Sequence, residues 1–257
     1  MGTRRVKYTK KSGAAPDEYW LSKNSFRKFN LSLLGLGDIS KDGECFEALA
    51  AILDLKEFTS FCDQRDPQLE VPKYLNAFLN WLFKRLSDIY IKEEEGDQLI
   101  LLSHLPFFSK FLGDGVLFLW DVRNLSREAR RNIVISLYII CNDYEGEFFP
   151  EIRKRFTKPP PKLRCGIAQG QITSVGAEND FVGLCINIAS RLQKLGQGKF
   201  SFAFTKKGLE QEPKEYWYKD FRLIKVPIRG VGKEEFVYVL KKEFNALSKV
   251  EKKKLLP

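Results

Sequence analysis

Residues 50–61, AAILDLKEFTSF, carry a run of small and apolar residues up to one aspartate, Asp54, and then break into a charged pair and Phe-Thr. Such a run predicts a buried strand, and an ionised side chain inside it is poorly tolerated unless something offsets its desolvation. A divalent cation with bound phosphate does that well. A second aspartate has a similar setting: KFLGDGVLFLW, residues 110–120, holds Asp114 between two glycines. Gly-Asp-Gly is also good hairpin chemistry, so taken singly each aspartate reads equally well as a turn residue. CINIASRL, residues 185–192, adds Asn187 and Arg191, four residues apart and on one face if the segment is helical. An exposed helical arginine is ordinarily just solvated. Beside two carboxylates it completes what reads as a two-metal nucleotide site.

Outward from these segments the chain alternates between strand and helix patterns. CFEALAAILDL predicts a strand, and Thr59 begins a turn. YLNAFLNWLFKRLSDIYIK predicts an amphipathic helix, with Leu75, Phe78, Leu79, Leu82 and Leu86 at helical spacing and the acidic EEEGD stretch ending it. LILLSHLPFFSKFL and VLFLWDV flank Gly113-Asp114-Gly115 and read as an antiparallel hairpin. A helix over SREARRNIVISLYIICNDYEGEF runs into the loop KPPPK, LRCGIAQGQITSVGA reads as a second hairpin, INIASRLQKLG as a helix, and three short strands ending in FVYVL close the pattern. The expected class is α+β, an antiparallel-rich sheet with helices to one side.

The formal net charge is +10, with lysine and arginine spread along the chain and concentrated in the first dozen residues and in KKEFNALSKVEKKK. That balance favours anionic ligands, a triphosphate among them, and basic ends read first as solubilising. Five cysteines, Cys45, Cys62, Cys141, Cys165 and Cys185, show no C-x-x-C spacing and read as reduced and structural. The one histidine, His104, has no second histidine or cysteine pair near it, so it reads as a packed or edge residue rather than a zinc ligand. MGTRRVKYTKK lacks an apolar signal core, and no apolar run reaches the length of a bilayer span, so cytoplasmic residence is expected.

Four segments in order resemble the class III nucleotidyl cyclases, the adenylyl and guanylyl cyclase homology domain, over about residues 44 to 243. ILDLKEFT is similar to the family's D-[IL]-x-G-F-T strand, KFLGDG to its K-x-x-G-D hairpin, LRCGIAQGQI to its G-I-x-x-G strand and turn, and DFVGLCINIASRL to its D-x-x-G-x-x-x-N-x-A-x-R helix. The resemblance implies a ferredoxin-like, palm-type βααββαβ core, with residues 1–40 a basic extension, 41–243 the catalytic domain and 244–257 a basic tail. It also implies that Asp54, Asp114 and the carbonyl of Leu55 hold two Mn²⁺ or Mg²⁺ ions. One ion lowers the pKa of the ribose 3′-hydroxyl and the other binds the phosphates. The N–H groups of Phe58 and Thr59 would cradle the phosphates. Asn187 would orient the ribose, and Arg191 would stabilise charge developing on the α-phosphate. A head-to-tail homodimer with composite sites follows from the same resemblance. The chain departs from the pattern at Glu57, where the family has glycine, and its final turn offers Arg229 and Lys233 in no clean register for the family's basic residue.

Lys110 and Asp180 fall where adenylyl cyclases read adenine. A lysine donor beside an aspartate acceptor suits adenine, cytosine or uracil edges equally, so hydrogen-bond chemistry alone does not choose. Phe107, Phe108, Phe111 and Leu112 around this strand read either as crowding that favours a smaller ring or as residues that face the core. With only a short basic extension on each side, the chain looks like the stand-alone bacterial pyrimidine cyclases of Pycsar antiphage systems. The expected reaction is UTP, or CTP, to its 3′,5′-cyclic monophosphate and pyrophosphate, the product activating a separate effector, and no nucleic-acid partner is expected. Two alternatives stand beside it: an adenylate cyclase, and an inactive cyclase-homology protein that binds nucleotide or nucleic acid.

Overall fold

The computed structural model describes residues 21–24, 40, 42–64, 66–176, 180–209 and 219–255. The extension expected over 1–40 lies outside the described residues, except 21–24 and 40. In chain order the elements begin with β1 (Cys45–Leu55), α1 (Phe58–Cys62), α2 (Pro67–Tyr90), β2 (Ile91–Glu95), β3 (Gln98–Leu101), β4 (Phe108–Phe111) and β5 (Gly115–Asp121). They continue with α3 (Arg127–Asp143), a π-helical turn (Tyr144–Phe148), α4 (Phe149–Ile152), β6 (Leu163–Val175), β7 (Asp180–Gly183), α5 (Leu184–Leu192) and α6 (Leu195–Gly198). β8 (Phe202–Thr205), β9 (Phe221–Ile228), β10 (Gly232–Leu240), α7 (Lys241–Asn245) and α8 (Lys249–Leu255) complete the described chain.

The sheet has eight strands in the order β4-β5-β1-β6-β8-β10-β9, with β7 paired to β6. β1 pairs antiparallel with β5, β4 with β5, and β10 with both β8 and β9, whereas β6 and β8 run parallel. The α+β class with an antiparallel-rich sheet is thus present, and β1-α1-α2-β4-β5-α3-β6 gives the expected βααββαβ order with the β2–β3 hairpin inserted.

β1 is central, and every residue from Ala48 to Leu55 is buried, which is why the strand reads as a continuous apolar run. Its alternation decides where Asp54 points. Leu49, Ala51, Leu53 and Leu55 enter the main core, where they meet Tyr74, Phe78, Leu82 and Leu86 of α2 and Ile133, Leu137 and Ile140 of α3. Asp54 belongs to the other face, with Ala48, Ala50 and Ile52. β6 divides the same way, Leu163, Cys165 and Ile167 facing the core and Arg164 and Gly166 lying opposite. A Cβ on Gly166 would overlap the Ala189 carbonyl and approach Leu192 Cβ at 2.9 Å, so α5 lies directly on that second face. Helices therefore cover both faces, not one, because the glycine lets α5 rest on bare backbone.

Two expected hairpins differ in detail. Only Phe108–Phe111 of the first run pairs with β5, while Leu99–Leu101 pairs with β2 in a separate two-stranded sheet. Gly96, at φ 57, makes the tight turn that the acidic stretch conceals in the sequence. LRCGIAQGQITSV is one 13-residue strand rather than two, and the chain returns along β7.

By contacts the chain falls into two compact units, Met1–Cys45 with Thr173–Val182, and Phe46–Ile172 with Gly183–Pro257. In the smaller, Glu44 N–H donates to Ser174 Oγ at 2.9 Å and Ser174 N–H to the Glu44 carbonyl at 2.9 Å. The larger is held by an aromatic cluster in which the Tyr74 and Tyr144 hydroxyls lie 2.7 Å apart and Tyr144 donates to the Pro160 carbonyl at 2.7 Å. Among the described residues no helix is long and apolar enough to cross a membrane. All five cysteines are free, and burial pushes the Cys185 thiol up to about 11, so it stays protonated and unreactive. His104 is exposed, and its carbonyl accepts the Trp120 indole N–H at 2.8 Å.

Candidate functional site

The register of β1 and β5 sets Asp54 opposite Gly115, and Leu55 N–H then donates to the Asp114 carbonyl at 2.8 Å. Asp54, Leu55 and Asp114 are thereby brought to one end of two adjacent strands. Gly115 is what permits the approach, since a Cβ there would overlap the Leu53 carbonyl oxygen. Gly113, at φ 96, supplies the turn conformation before Asp114. Both glycines of Gly-Asp-Gly therefore serve the hairpin, and the aspartate between them is delivered to β1.

Asp54 is only 2% exposed. Burial raises its carboxyl above the usual range, Asp114 pushes the same way, and Arg164 and Lys194 oppose both. Arg164 Nε donates to Asp54 Oδ2 at 2.9 Å, and Nη2 donates to the same oxygen. The sequence reading did not single out Arg164. A signal was available: it is a charged residue inside an apolar strand, on the face opposite Leu163, Cys165 and Ile167, as Asp54 is in β1.

Divalent cations suit this place. Two aspartates stand at the same strand end, close enough that Asp114 acts electrostatically on the buried Asp54, and a hard cation can be held by one or two carboxylates with water and phosphate completing its shell. Among the described residues no group of three or more His, Cys, Asp or Glu converges, so the rest of that shell would have to come from backbone, water and substrate.

α1 follows at once. Glu57 is its N-cap and sits at φ 66, the left-handed region, where the resembled motif has glycine. The Phe58 ring is buried 6.1 Å from Phe61 and 6.4 Å from Tyr74 between centroids, which pins the start of the helix. Thr59 is exposed beside it. The first N–H groups of a helix have no partner within it, so those of Phe58 and Thr59 are open to an acceptor.

Asn187 and Arg191 are both exposed on α5 and share a face. Arg191 is directed not at the aspartates but at the β9–β10 turn, where Nη1 donates to the Arg229 carbonyl. Arg191, Lys194 and Arg229 line a cavity of about 270 Å³ with Gly196, Pro227 and Ile228. The structure thus forms two groups in the larger unit, the carboxylates and α1 in one, Asn187, Arg191 and Arg229 in the other. Lys110 is exposed on β4, opposite Leu117 of β5, with the half-buried Phe108 two residues away on the same face. Asp180 opens β7 in the smaller unit, where its carboxylate accepts the Phe181 N–H at 2.9 Å.

No protein-family model and no curated protein matches the sequence. The fold does find relatives, with 107 solved chains matching it. One is a structure of a bacterial light-regulated adenylyl cyclase, at TM-score 0.53 and 16% identity, covering 85% of this chain and 57% of that chain. A second structure of a bacterial light-regulated adenylyl cyclase gives TM-score 0.51 and 17% identity, covering 84% and 58%. The fold is a nucleotidyl cyclase fold. The chain spans less than three fifths of those two cyclase chains.

Proposed function

We propose that this chain is a class III nucleotidyl cyclase, converting a nucleoside triphosphate to its 3′,5′-cyclic monophosphate and pyrophosphate. The observation that carries the reading is the placing of Asp54 and Asp114 at the same end of the adjacent strands β1 and β5 in a cyclase fold. In this reaction the ribose 3′-oxygen attacks the α-phosphorus, the bond from that phosphorus to the bridging oxygen breaks, and the 3′-hydroxyl proton passes to solvent. Bound divalent cations, Mn²⁺ or Mg²⁺, would supply Lewis acidity for the 3′-oxygen and neutralise the phosphates. Asp54, Asp114 and the Leu55 carbonyl would hold them. The N–H groups of Phe58 and Thr59 bind phosphate oxygens, Asn187 orients the ribose, and Arg191, with Arg229 beside it, meets the charge on the reacting phosphates.

The base proposed is a pyrimidine, uracil before cytosine. Phe108 lies two residues from Lys110 on the same face of β4, and an aromatic ring on that face suits a single-ring base. The product would act as a second messenger on a separate effector, as in Pycsar antiphage defence. Adenylate cyclase is the second reading, favoured by the residue types at Lys110 and Asp180, a donor and an acceptor that each stand where adenylyl cyclases read adenine.

The separation of the carboxylates and α1 from Asn187 and Arg191 fits a head-to-tail homodimer in which each site takes its carboxylates from one protomer and Asn187 and Arg191 from the other. Mixing inactive Asp114→Asn with inactive Arg191→Ala tests this. Restored turnover, about a quarter of the wild-type rate for random assortment with one intact site in half the dimers, is expected. Two inactive variants that stay inactive when mixed and re-equilibrated would rule out composite sites.

A further inference from the structure

We propose that Arg164 is an internal counter-ion that occupies the Asp54 carboxylate in the metal-free protein and is displaced when a divalent cation binds. This rests on the reading of Asp54 as a metal ligand. β1 and β6 are neighbours in the sheet, and Asp54 and Arg164 lie on the face opposite the main core. Their side chains are 3% and 14% exposed, so the pair is largely removed from water. Nε and Nη2 both donate to Oδ2, so the guanidinium commits itself to one oxygen and leaves Oδ1 unclaimed by it.

A guanidinium there does for the carboxylate what a metal ion would do, supplying the positive charge that lets it remain ionised when buried. The two cations are therefore competitors. A dication on a carboxylate already held by arginine meets a like charge at ion-pair distance, where low local polarity keeps the repulsion strong. Lys194 adds to the positive field at Asp54. Gly198, at φ +80, sits beside the guanidinium, and a Cβ there would lie 3.2 Å from Nη1. The exchange moves no proton or electron; arginine keeps its charge and changes only its partner. Metal binding to this chain is then a trade of one cation for another, which makes the cation alone bind weakly.

The test uses the purified full chain and Mn²⁺ alone, with free Mn²⁺ counted by electron paramagnetic resonance. Arg164→Gln, shown folded by circular dichroism, should bind Mn²⁺ about tenfold more tightly than wild type. Arg164→Lys, which keeps the charge, should stay near wild type. Equal affinity in Arg164→Gln, or the 10–100-fold weakening that follows loss of a group that merely orients a ligand, overturns the proposal. Asp54→Asn separates the layers. If it binds Mn²⁺ as wild type does, the metal-ligand reading itself fails; if it loses binding while Arg164→Gln gains none, only the displacement fails. A measurement on the wild type removes any dependence on the glutamine variant's folding. The Arg164 Nε–H proton resonance, assigned with Arg164→Lys, should shift and exchange faster with water on Mg²⁺ saturation, and an unmoved resonance contradicts displacement.

Discussion

Asp54 and Asp114 are alike in the sequence and unlike in the structure. Asp54 is buried and paired with Arg164, while Asp114 is half-buried in a turn. Removing one partner of a buried ion pair leaves the other charge uncompensated and costs about 3 kcal/mol. Asp54→Ala should therefore lose turnover and about that much stability, whereas Asp114→Ala should lose turnover and stay within about 0.5 kcal/mol of wild type. Urea denaturation beside a turnover assay separates the two, and equal destabilisation would deny the Arg164 pair its importance. Glu57 offers the opposite case. A non-glycine residue in the left-handed region costs roughly 1–2 kcal/mol, and its ion pair with Lys56 is exposed and adds little. Glu57→Gly should raise stability by about 1 kcal/mol in the same denaturation experiment. No gain would mean that the carboxylate makes up locally for the strain.

At the scale of elements, Gly115 carries more than its neighbour suggests. Its missing side chain lets β5 lie against the Leu53 carbonyl, so a methyl group there must push the hairpin off β1. Gly115→Ala should cost about 1–3 kcal/mol, as overpacking does, and should abolish turnover even though both aspartates remain. Full activity in that variant would show that the Asp54–Asp114 approach is not needed. The same scale shows what the sequence could reveal. β1 was legible because a strand buried on both faces needs an unbroken apolar run, and α2 because Phe78, Leu82 and Leu86 repeat every turn on the core side. Ser126 marked the start of α3 and does cap it, accepting the Ala129 N–H at 3.0 Å. The β2–β3 hairpin was hidden because Glu93, Glu94 and Glu95 have low strand propensity, and what forms the strand is its partner Gln98–Leu101. The second face of the sheet was hidden for a related reason: Gly166 shows its purpose only when α5 is seen resting on it.

Over the whole molecule, the positive net charge of +10 reads as general affinity for anions, but the structure gives some of it local work. Arg164 neutralises a buried carboxylate, Arg191 and Arg229 gather at one cavity, and Lys162 joins Glu145 and Glu243. Those pairings cross between distant parts of the chain, Arg164 with Asp54 above all, and no local pattern encodes them. The carboxylate strand and the asparagine–arginine helix were each legible by motif. That they form separate groups within one chain was implied only by the family resemblance, because no local pattern encodes how α5 lies over β6.

The reaction proposed for this chain is closure of a ribose 3′-oxygen onto an α-phosphate. The most direct test is to incubate the purified protein with Mn²⁺ and each of ATP, GTP, CTP and UTP in turn, and to identify the product by chromatography and mass spectrometry. Pyrophosphate and a 3′,5′-cyclic nucleotide, cyclic UMP or cyclic CMP foremost, are expected, with no product from Asp114→Asn. Cyclic AMP as the dominant product would overturn the pyrimidine assignment while keeping the cyclase, and triphosphates left intact under all four conditions by a folded, dimeric protein would overturn the cyclase reading.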